Sequence, residues 1–331
     1  MSNSTPLVTV FGGSGFVGRY VCRRMANEGW RVRVAVRRPD EAGFVRTMGT
    51  VGQVEPIQAN IRDEDSTSRA IAGADAVINC VGILVETGKQ RFESVQADGA
   101  ARVARLCAEH GVRRLVQISA IGADSESDSD YARSKAAGES AVSAAFPGAV
   151  ILRPSIIFGT EDEFFNRFGA MARVSPVIPL VGAETRFHPV YVDDVAAAAV
   201  MSATSDVAPG VYELGGPETA TFRQLIERLL KTIERRRAVI ELPHWVARAQ
   251  AGILDGLSKL SFGLWTNGLL TRDQVRQLGR DNVVSPDARG FADLGIEPTA
   301  MEAILEGYLY SFRPHGQFDA ITASAANLRQ K

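Results

Sequence analysis

Six short apolar runs in the first half of the chain alternate with segments of helical periodicity. The runs are LVTVF, RVRVAV, VEPIQ, DAVINC, RRLVQIS and AVILR, and the first begins at residue 7. Strands that alternate with helices form βαβ units, in which a parallel sheet carries helices on both faces. The alternation therefore predicts an α/β fold built on a doubly wound parallel sheet.

A glycine-rich turn, FGGSGFVGRYVC, follows the first run and forms a Gly-x-x-Gly-x-x-Gly pattern between a strand and a helix. Glycines in this pattern permit a tight turn and let the backbone approach a pyrophosphate, which the N-terminus of the following helix faces. The context predicts a Rossmann-type dinucleotide site, and the alternative is a glycine turn that binds no ligand. The cofactor-binding residues expected in this turn are Gly12, Ser14, Gly15, Phe16, Val17 and Gly18.

Two arginines, Arg37 and Arg38, stand at the end of the second predicted strand. An acidic residue there would accept the ribose 2′-hydroxyl of NAD(H), whereas arginine accommodates the 2′-phosphate of NADP(H). Asp40 follows a proline that turns the chain away. The sequence thus favours NADPH or NADP+ as the cofactor. The alternative is that both arginines are solvated surface charges.

Two more strand ends complete the predicted nucleotide site. Asn60 and Ile61 follow the third strand, where the adenine is expected. Cys80, Val81 and Gly82 follow the fourth, beside the pyrophosphate and ribose. Cys80 is expected to be a small apolar filler and not a reactive thiol.

The sequence YARSK places Tyr131 and Lys135 one helical turn apart. This spacing suits a proton relay beside a nicotinamide, because a nearby cation favours the phenolate of tyrosine. The alternative is purely structural, with a tyrosine at a helix start and a solvated lysine.

The motifs GGSGFVG, YARSK and LRPSIIFG occur in this order, and with them the chain resembles the extended short-chain dehydrogenase/reductase superfamily over most of its length. The resemblance implies that the tyrosine is a general acid or base, that the lysine binds the nicotinamide ribose, and that a hydroxyl after the fifth strand holds the substrate oxygen. That position falls at Ala120 or Ile121, and Ser119 lies slightly too early. We therefore expect an incomplete triad with Tyr131 and Lys135 as a vestigial pair. The further cofactor-binding residues implied by the resemblance are Ser119, Tyr131, Lys135, Pro154 and Ile157.

Four motifs of the second half narrow the resemblance: GTEDEFFNRFGAM, FHPVYVDDVAAA, LLTRDQVRQLGRDNVV and DLGIEPTAMEAIL. Together they are similar to the NADPH-binding accessory subunit of respiratory complex I, in its bacterial form. This implies a nucleotide that is held and not turned over, in a peripheral protein docked on hydrophilic-arm subunits at the cytoplasmic face of the inner membrane, near the quinone region. The expected function is a non-catalytic accessory subunit that supports assembly or stability.

The pattern of the chain changes at about Pro154, which suggests two domains. Residues 1–154 are expected to form the NADP-binding Rossmann domain, with return elements around 187–204. Residues 155–315 are expected to form a smaller C-terminal α/β interaction domain, and residues 316–331 a flexible or partner-bound tail. The aromatic-rich segment 242–271 is expected to contact a partner or membrane headgroups, with core packing as the alternative.

Composition excludes several other functions. The net charge of −1 gives no field that would gather nucleic acid. Three scattered cysteines predict neither disulfides nor a metal site, and the four histidines form no ligand spacing. No apolar run reaches the ~18 residues of a membrane span, and the chain enters a strand too soon for a secretory leader.

Two other functions remain open from the sequence. One is an active NADP-dependent reductase or epimerase, with Tyr131 as the acid and Ser119 reaching the substrate after a loop shift. The other is a redox-sensing module that releases a partner when NADPH becomes NADP+.

Overall fold

A computed structural model of the protein describes residues 5–243, 272–314 and 316. In chain order the strands of the described residues are β1 (Leu7–Phe11), β2 (Arg31–Val36), β3 (Val54–Gln58), β4 (Ala76–Asn79), β5 (Arg114–Ile118), β6 (Val150–Pro154), β7 (Ile157–Phe158), β8 (Val177–Leu180), β9 (Arg186–Phe187), β10 (Val190–Tyr191), β11 (Gly210–Leu214), β12 (Ala220–Thr221) and β13 (Ala238–Glu241).

The α-helices of the same residues are α1 (Phe16–Asn27), α2 (Glu64–Ile71), α3 (Asp98–Glu109), α4 (Asp130–Ala145), α5 (Phe164–Val174), α6 (Val192–Thr204), α7 (Phe222–Thr232), α8 (Arg272–Gln277) and α9 (Glu302–Leu309). Shorter 3-10 segments cover Asp40–Met48, Ala292–Leu294 and Tyr310–Phe312, and a π-helical turn, Glu93–Ala97, leads into α3.

The main sheet has seven parallel strands in the order β3-β2-β1-β4-β5-β6-β11. Strand β1 lies in the interior of the sheet, with Val10 between Val34 of β2 and Ile78 of β4. The strand order reverses on either side of β1, and this switch point is where open α/β sheets bind ligands, beyond the carboxyl ends of the strands.

Both faces of the sheet are covered, because successive side chains of a strand point to opposite sides. Val8 and Val10 pack on one face with Val21 and Met25 of α1 and with residues of α6. Phe11 points to the other face, where α2, α3 and α4 pack. The doubly wound Rossmann-type sheet predicted from the sequence is confirmed.

Strand β11 extends the sheet beyond the elements that the sequence assigned to it. The sequence predicts return elements only around residues 187–204, a range that contains the end of β9 together with β10 and α6. Residues 210–214 also join the sheet, in register with β6. They do so because Tyr212 and Leu214 are buried in the same core as α6.

A separate core lies beside the sheet and is built from α5, α7 and α9. Its buried side chains include Phe165 of α5, Leu229 of α7 and Leu305 of α9. Helix α7 begins with a capping box in which Thr221 and Gln224 exchange hydrogen bonds. Threonine is one of the residues favoured at this N-cap position.

Two segments singled out from the sequence fall largely outside the described residues. They are 242–271, of which 242 and 243 are described, and the tail 316–331, of which Gly316 is described. Of the helices in the described ranges, none is long and apolar enough to cross a bilayer.

Candidate functional site

The glycine turn between β1 and α1 is closely packed, and at Gly18 it leaves no room for a side chain. Gly12 has a φ of +72°, and its amide donates to Ala35 O at 2.9 Å. A Cβ on Gly18 would lie 2.2 Å from Gly12 O, so the turn rests directly on the helix. Gly15 precedes α1 with an extended backbone and no side-chain cap. The first amides of α1 therefore remain available to an anion.

The carboxyl end of β4 forms the floor of this turn. A Cβ on Gly12 would lie 3.2 Å from Val81 Cγ2 and 3.3 Å from Cys80 C. Asn79 shapes the floor, because its Oδ1 accepts from Val81 N at 3.1 Å. Burial raises the pKa of the Cys80 thiol to about 12, so the thiol is neutral, in keeping with the expected filler role.

Arg37 and Arg38 follow β2, but their surroundings differ. Arg38 Nη1 binds Glu41 Oε1 at 2.8 Å, and both side chains are largely exposed. Arg37 is also exposed, and within the described ranges it forms no such ion pair. The two arginines, which are equivalent in the sequence, therefore differ in their ion pairing. Of the two, Arg37 is the better placed to bind an anion.

Asn60 and Ile61 occupy the end of β3, as expected. Asn60 N hydrogen-bonds Ser66 Oγ at 3.1 Å, and its Oδ1 accepts from Arg62 N at 3.2 Å. Ile61 is buried against Gly99 of α3. At the far side of the site, Pro154 ends β6 and Ile157 begins β7, where it packs on the core shared with α1.

Lys135 is buried on α4 with 8% of its surface exposed. Burial lowers the pKa of its ammonium to about 8, although the nearby Glu139 opposes this shift. A Cβ placed on Gly82 would lie 3.4 Å from Lys135 Nζ. The ammonium therefore faces the loop after β4, close to the floor of the glycine turn.

Gln96 contributes a second polar group at the same point. Its Oε1 lies 3.6 Å from the Cβ position of Gly82, and its Nε2 donates to Ser134 Oγ at 3.1 Å. Gln96 is 4% exposed, and among the described residues its Oε1 is the one buried side-chain N or O atom without a hydrogen-bond partner. An unsatisfied buried acceptor beside a buried cation suits a ligand with hydroxyl groups, such as a ribose.

The surroundings of Tyr131 do not favour its phenolate. Burial raises the pKa of Tyr131 to about 12, and the carboxylate of Asp273 contributes in the same direction. Lys135 Nζ lies 5.8 Å from the centroid of the tyrosine ring, and the Phe92 ring contacts the same ring edge-on. The pair is therefore held together without the lowered phenol pKa that a proton relay requires.

Ser119 donates its hydroxyl proton to Glu139 Oε1. Glu139 also accepts from Arg153 Nε, at 2.9 Å, in a partly buried ion pair. Apolar Ala120 and Ile121 occupy the positions at which the sequence expected a missing catalytic hydroxyl, and Ile121 is buried. Within the described part of the chain, no serine or threonine hydroxyl bonds the Tyr131 phenol.

Three features of this site were not found from the sequence: the Gln96 acceptor, the Glu139–Arg153 pair, and the bonding of Asp273 to the start of α4. Asp273 lies 142 positions from Tyr131. A polar residue inside an apolar-periodic helix is the one clue that the sequence offered, and it applies to Gln96 alone. Across the described ranges no group of three His, Cys, Asp or Glu side chains could hold a metal ion.

The fold and the site define a class of protein. A family model described as the NAD dependent epimerase/dehydratase family matches residues 8–215. A dTDP-glucose 4,6-dehydratase from Streptomyces venezuelae, solved with NAD and TYD bound, shares the fold with a TM-score of 0.69 and 18% identity, over 92% of this chain and 95% of that one. The chain belongs to the NAD-dependent epimerase/dehydratase family, with an extended short-chain dehydrogenase/reductase fold.

Individual relatives are consistent with the resemblance that the motifs of the second half of the chain indicated. A mitochondrial NADH dehydrogenase [ubiquinone] 1 alpha subcomplex subunit 9 of Arabidopsis thaliana is 36% identical over 316 residues, covering 94% of this chain and 79% of that protein. The 40 kDa subunit of NADH-ubiquinone oxidoreductase of Neurospora crassa is 30% identical, covering 97% and 84%. The resemblance to complex I subunits is confirmed. A ceramide reductase of Caulobacter vibrioides is also similar, with 31% identity over 258 residues, covering 77% and 79%.

Proposed function

We propose that this protein is a non-catalytic, NADP(H)-binding accessory subunit of respiratory complex I, peripheral at the cytoplasmic face of a bacterial inner membrane. In this function the nucleotide holds the Rossmann part, residues 1–154, against the smaller part formed by residues 155–315. The folded unit then supports the assembly or stability of the complex near its quinone region. The relatives named as subunits of NADH dehydrogenase support the association with complex I.

The observation that carries the non-catalytic part is the bonding of Ser119. Its hydroxyl is engaged by Glu139, which is itself paired with Arg153, and apolar side chains follow at Ala120 and Ile121. A bound nicotinamide would supply hydride chemistry, but these residues offer a substrate carbonyl no free donor. The loss of one group of an acid–base set commonly lowers the rate by ~10²–10⁴-fold.

The residues of the cradle have separate roles in holding the nucleotide. The amides that begin α1 bind the pyrophosphate, and Lys135 together with Gln96 binds the nicotinamide ribose. Arg37 binds the 2′-phosphate and so selects NADP(H) over NAD(H). A ligand bound only by the folded state stabilises that state by mass action. The nucleotide is therefore expected to be a structural part of the subunit.

The choice of cofactor is tested with Arg37→Ala. A charge-assisted hydrogen bond to phosphate is worth about 1.5–3 kcal/mol, so the variant should lose about tenfold to hundredfold of its preference for NADPH over NADH. Arg31→Ala is the matched control, because Arg31 is an exposed arginine at the opposite end of β2. Both dissociation constants are measured by isothermal titration calorimetry. An unchanged ratio in Arg37→Ala would remove the assignment.

The subunit function is tested on the protein purified from its native membrane. We expect tightly bound NADPH with slow exchange, together with co-purifying complex I subunits. Free exchange with no such subunits recovered would contradict the proposal.

A second candidate is an active NADP-dependent reductase, which the similarity to a ceramide reductase favours. Tyr131 would then be the acid. Screening NADPH oxidation with carbonyl and quinone substrates separates the two functions. Working enzymes commonly turn over faster than about 1 s⁻¹, so a rate above this value would favour the reductase, and its absence would favour the accessory subunit.

A further inference from the structure

The carboxylate of Asp273 caps the helix that carries Tyr131 and Lys135. Its Oδ2 accepts from Ser129 Oγ at 2.8 Å and from Tyr131 N at 3.3 Å, while its Oδ1 accepts from Asp130 N at 2.9 Å. The Asp273 side chain is 14% exposed. Ser129 is already the local N-cap of α4, so Asp273 adds a second cap from a distant part of the chain. A carboxylate at a helix N-terminus is favoured by the free amides and by the helix dipole.

Three neighbours of Asp273 bind the loop that leads into the same helix. Arg276 Nη1 donates to Asp128 O at 3.2 Å, and Arg280 Nη2 pairs with the Asp128 carboxylate at 3.3 Å. Asn282 Nδ2 donates to Ile121 O at 3.1 Å. Segment 272–282 therefore binds the acidic loop between β5 and α4 at both of its ends.

The position of α4 sets the geometry of the ribose end of the site. A Cβ on Gly138 would lie 2.2 Å from Gln96 O, so α4 packs directly on the turn that carries Gln96. A shift of the first turns of α4 would therefore move Lys135 relative to Gln96 and Gly82. Of the described residues that hold these first turns, Asp273 makes the most hydrogen bonds from outside the helix and its loop.

We propose that Asp273 is a positioning residue, which couples the anchoring of segment 272–282 to the binding of the nucleotide. It holds the start of α4 so that Tyr131 and Lys135 face the ribose, and a bound nucleotide in turn holds α4 in the form that Asp273 caps. This proposal rests on the proposed function in one respect, namely that α4 contacts the nucleotide. Coupling of this kind is reciprocal, so each event strengthens the other by the same factor.

The test compares Asp273→Ala and Asp273→Asn with the control Asp281→Asn in the full chain. Asp281 belongs to the same segment, but its carboxylate binds Arg186, and among the described residues it forms no hydrogen bond or ion pair with α4. We expect Asp273→Ala to bind NADPH at least about fivefold more weakly, the lower end of typical coupling. Asp273→Asn should lie between it and wild type, because the amide keeps one acceptor oxygen, and the control should change less than about twofold.

Rates of backbone hydrogen exchange distinguish coupling from a purely structural role of Asp273, because only coupling makes the exchange rate in one segment depend on the nucleotide bound at another. In wild type, NADPH should slow exchange both at the start of α4 and in segment 272–282. In Asp273→Ala, NADPH should still slow exchange in the glycine turn but no longer in segment 272–282. Should the alanine variant fail to fold, Asp273→Asn carries the same comparison, since it conserves the volume of the side chain.

The outcomes distinguish the two proposals. If wild type binds NADPH and Asp273→Ala binds it equally well, with faster exchange in segment 272–282, the coupling is wrong and the nucleotide site stands. If wild type binds no NADPH at all, both proposals fall. If Asp281→Asn weakens NADPH binding as much as Asp273→Ala does, any change in segment 272–282 has this effect, and the specific role of Asp273 is overturned.

Discussion

Replacing Gly18 by alanine should disrupt the glycine turn, because the new methyl group meets backbone and not movable side chains. Its Cβ would lie 2.2 Å from Gly12 O and 2.7 Å from Gly13 Cα. Favourable contact between carbon atoms begins at about 3.5 Å, so the turn and α1 must separate by about 1 Å. Overpacking of this kind costs about 1–3 kcal/mol.

Gly307 provides a matched control for this substitution. It lies inside helix α9, as Gly18 lies inside α1, but a Cβ there would meet nothing within 4 Å. Both variants gain about 1 kcal/mol of helix propensity when glycine becomes alanine. The difference between them therefore isolates the clash at Gly18, and we expect Gly18→Ala to be less stable than Gly307→Ala by about 1–3 kcal/mol.

Urea unfolding followed by circular dichroism measures this difference, and calorimetric titration with NADPH measures its consequence for binding. The displaced turn should weaken NADPH binding by at least about tenfold, which corresponds to about 1.4 kcal/mol, while Gly307→Ala should bind like wild type. Equal stability and equal affinity in the two variants would refute the close packing of the turn on its helix, and with it the proposed binding of a pyrophosphate by this turn.

Three further predictions concern buried polar groups, all measured by urea unfolding. Lys135→Met should stabilise the nucleotide-free protein by about 1–3 kcal/mol at pH 7, since burial disfavours the charged ammonium. The unfolded state binds the extra proton between about pH 8 and 10.4, so wild-type stability should rise relative to the variant across that window; a constant difference would contradict this. Glu139→Ala should cost about 1–3 kcal/mol, because it removes the hydrogen-bonded partner of Arg153 and leaves only the longer pair with Glu213 at 3.6 Å; an unchanged midpoint would argue against a stabilising Glu139–Arg153 pair. Tyr308→Phe should cost about 1–3 kcal/mol, because the phenol donates to the buried Asp162 carboxylate at 2.5 Å, and an unchanged midpoint would argue against that bond.

Much of the fold was predictable because its signals are local. Strands of alternating or continuous apolar residues, a helix with Val21 and Met25 on one face, and the cap at Thr221 each follow from residues within one or two turns of one another. The glycine pattern was equally informative, since a positive φ at Gly12 and the absence of a Cβ at Gly18 are properties of single positions. The membership of β11 in the main sheet was not predictable in this way, because a short strand carries no information on which edge it will pair with.

The candidate site shows the same division. The positions of Arg37 and Lys135 could be inferred from the strand and the helix beside which they lie. The sequence did not show that Arg38 forms an ion pair with Glu41, or that burial lowers the pKa of Lys135 to about 8. The engagement of Ser119 by Glu139 joins residues 20 positions apart, and the bond from Gln96 to Ser134 joins residues 38 apart. The residues of such contacts have no fixed separation in the sequence, so no sequence pattern predicts them.

By itself the sequence determined the order of strands and helices in the first half, the glycine-rich turn and the two residues of the Tyr-x-x-x-Lys pattern. These depend on backbone conformation and on helical or strand periodicity, which neighbouring residues settle among themselves. The tertiary structure alone decided which hydroxyls and charges are already bonded, which acceptor is left without a partner, and which distant carboxylate caps α4. Those outcomes depend on burial and on contacts between residues far apart in the sequence. A buried polar group without a hydrogen-bond partner costs free energy, and the partner that satisfies it often comes from a distant part of the chain.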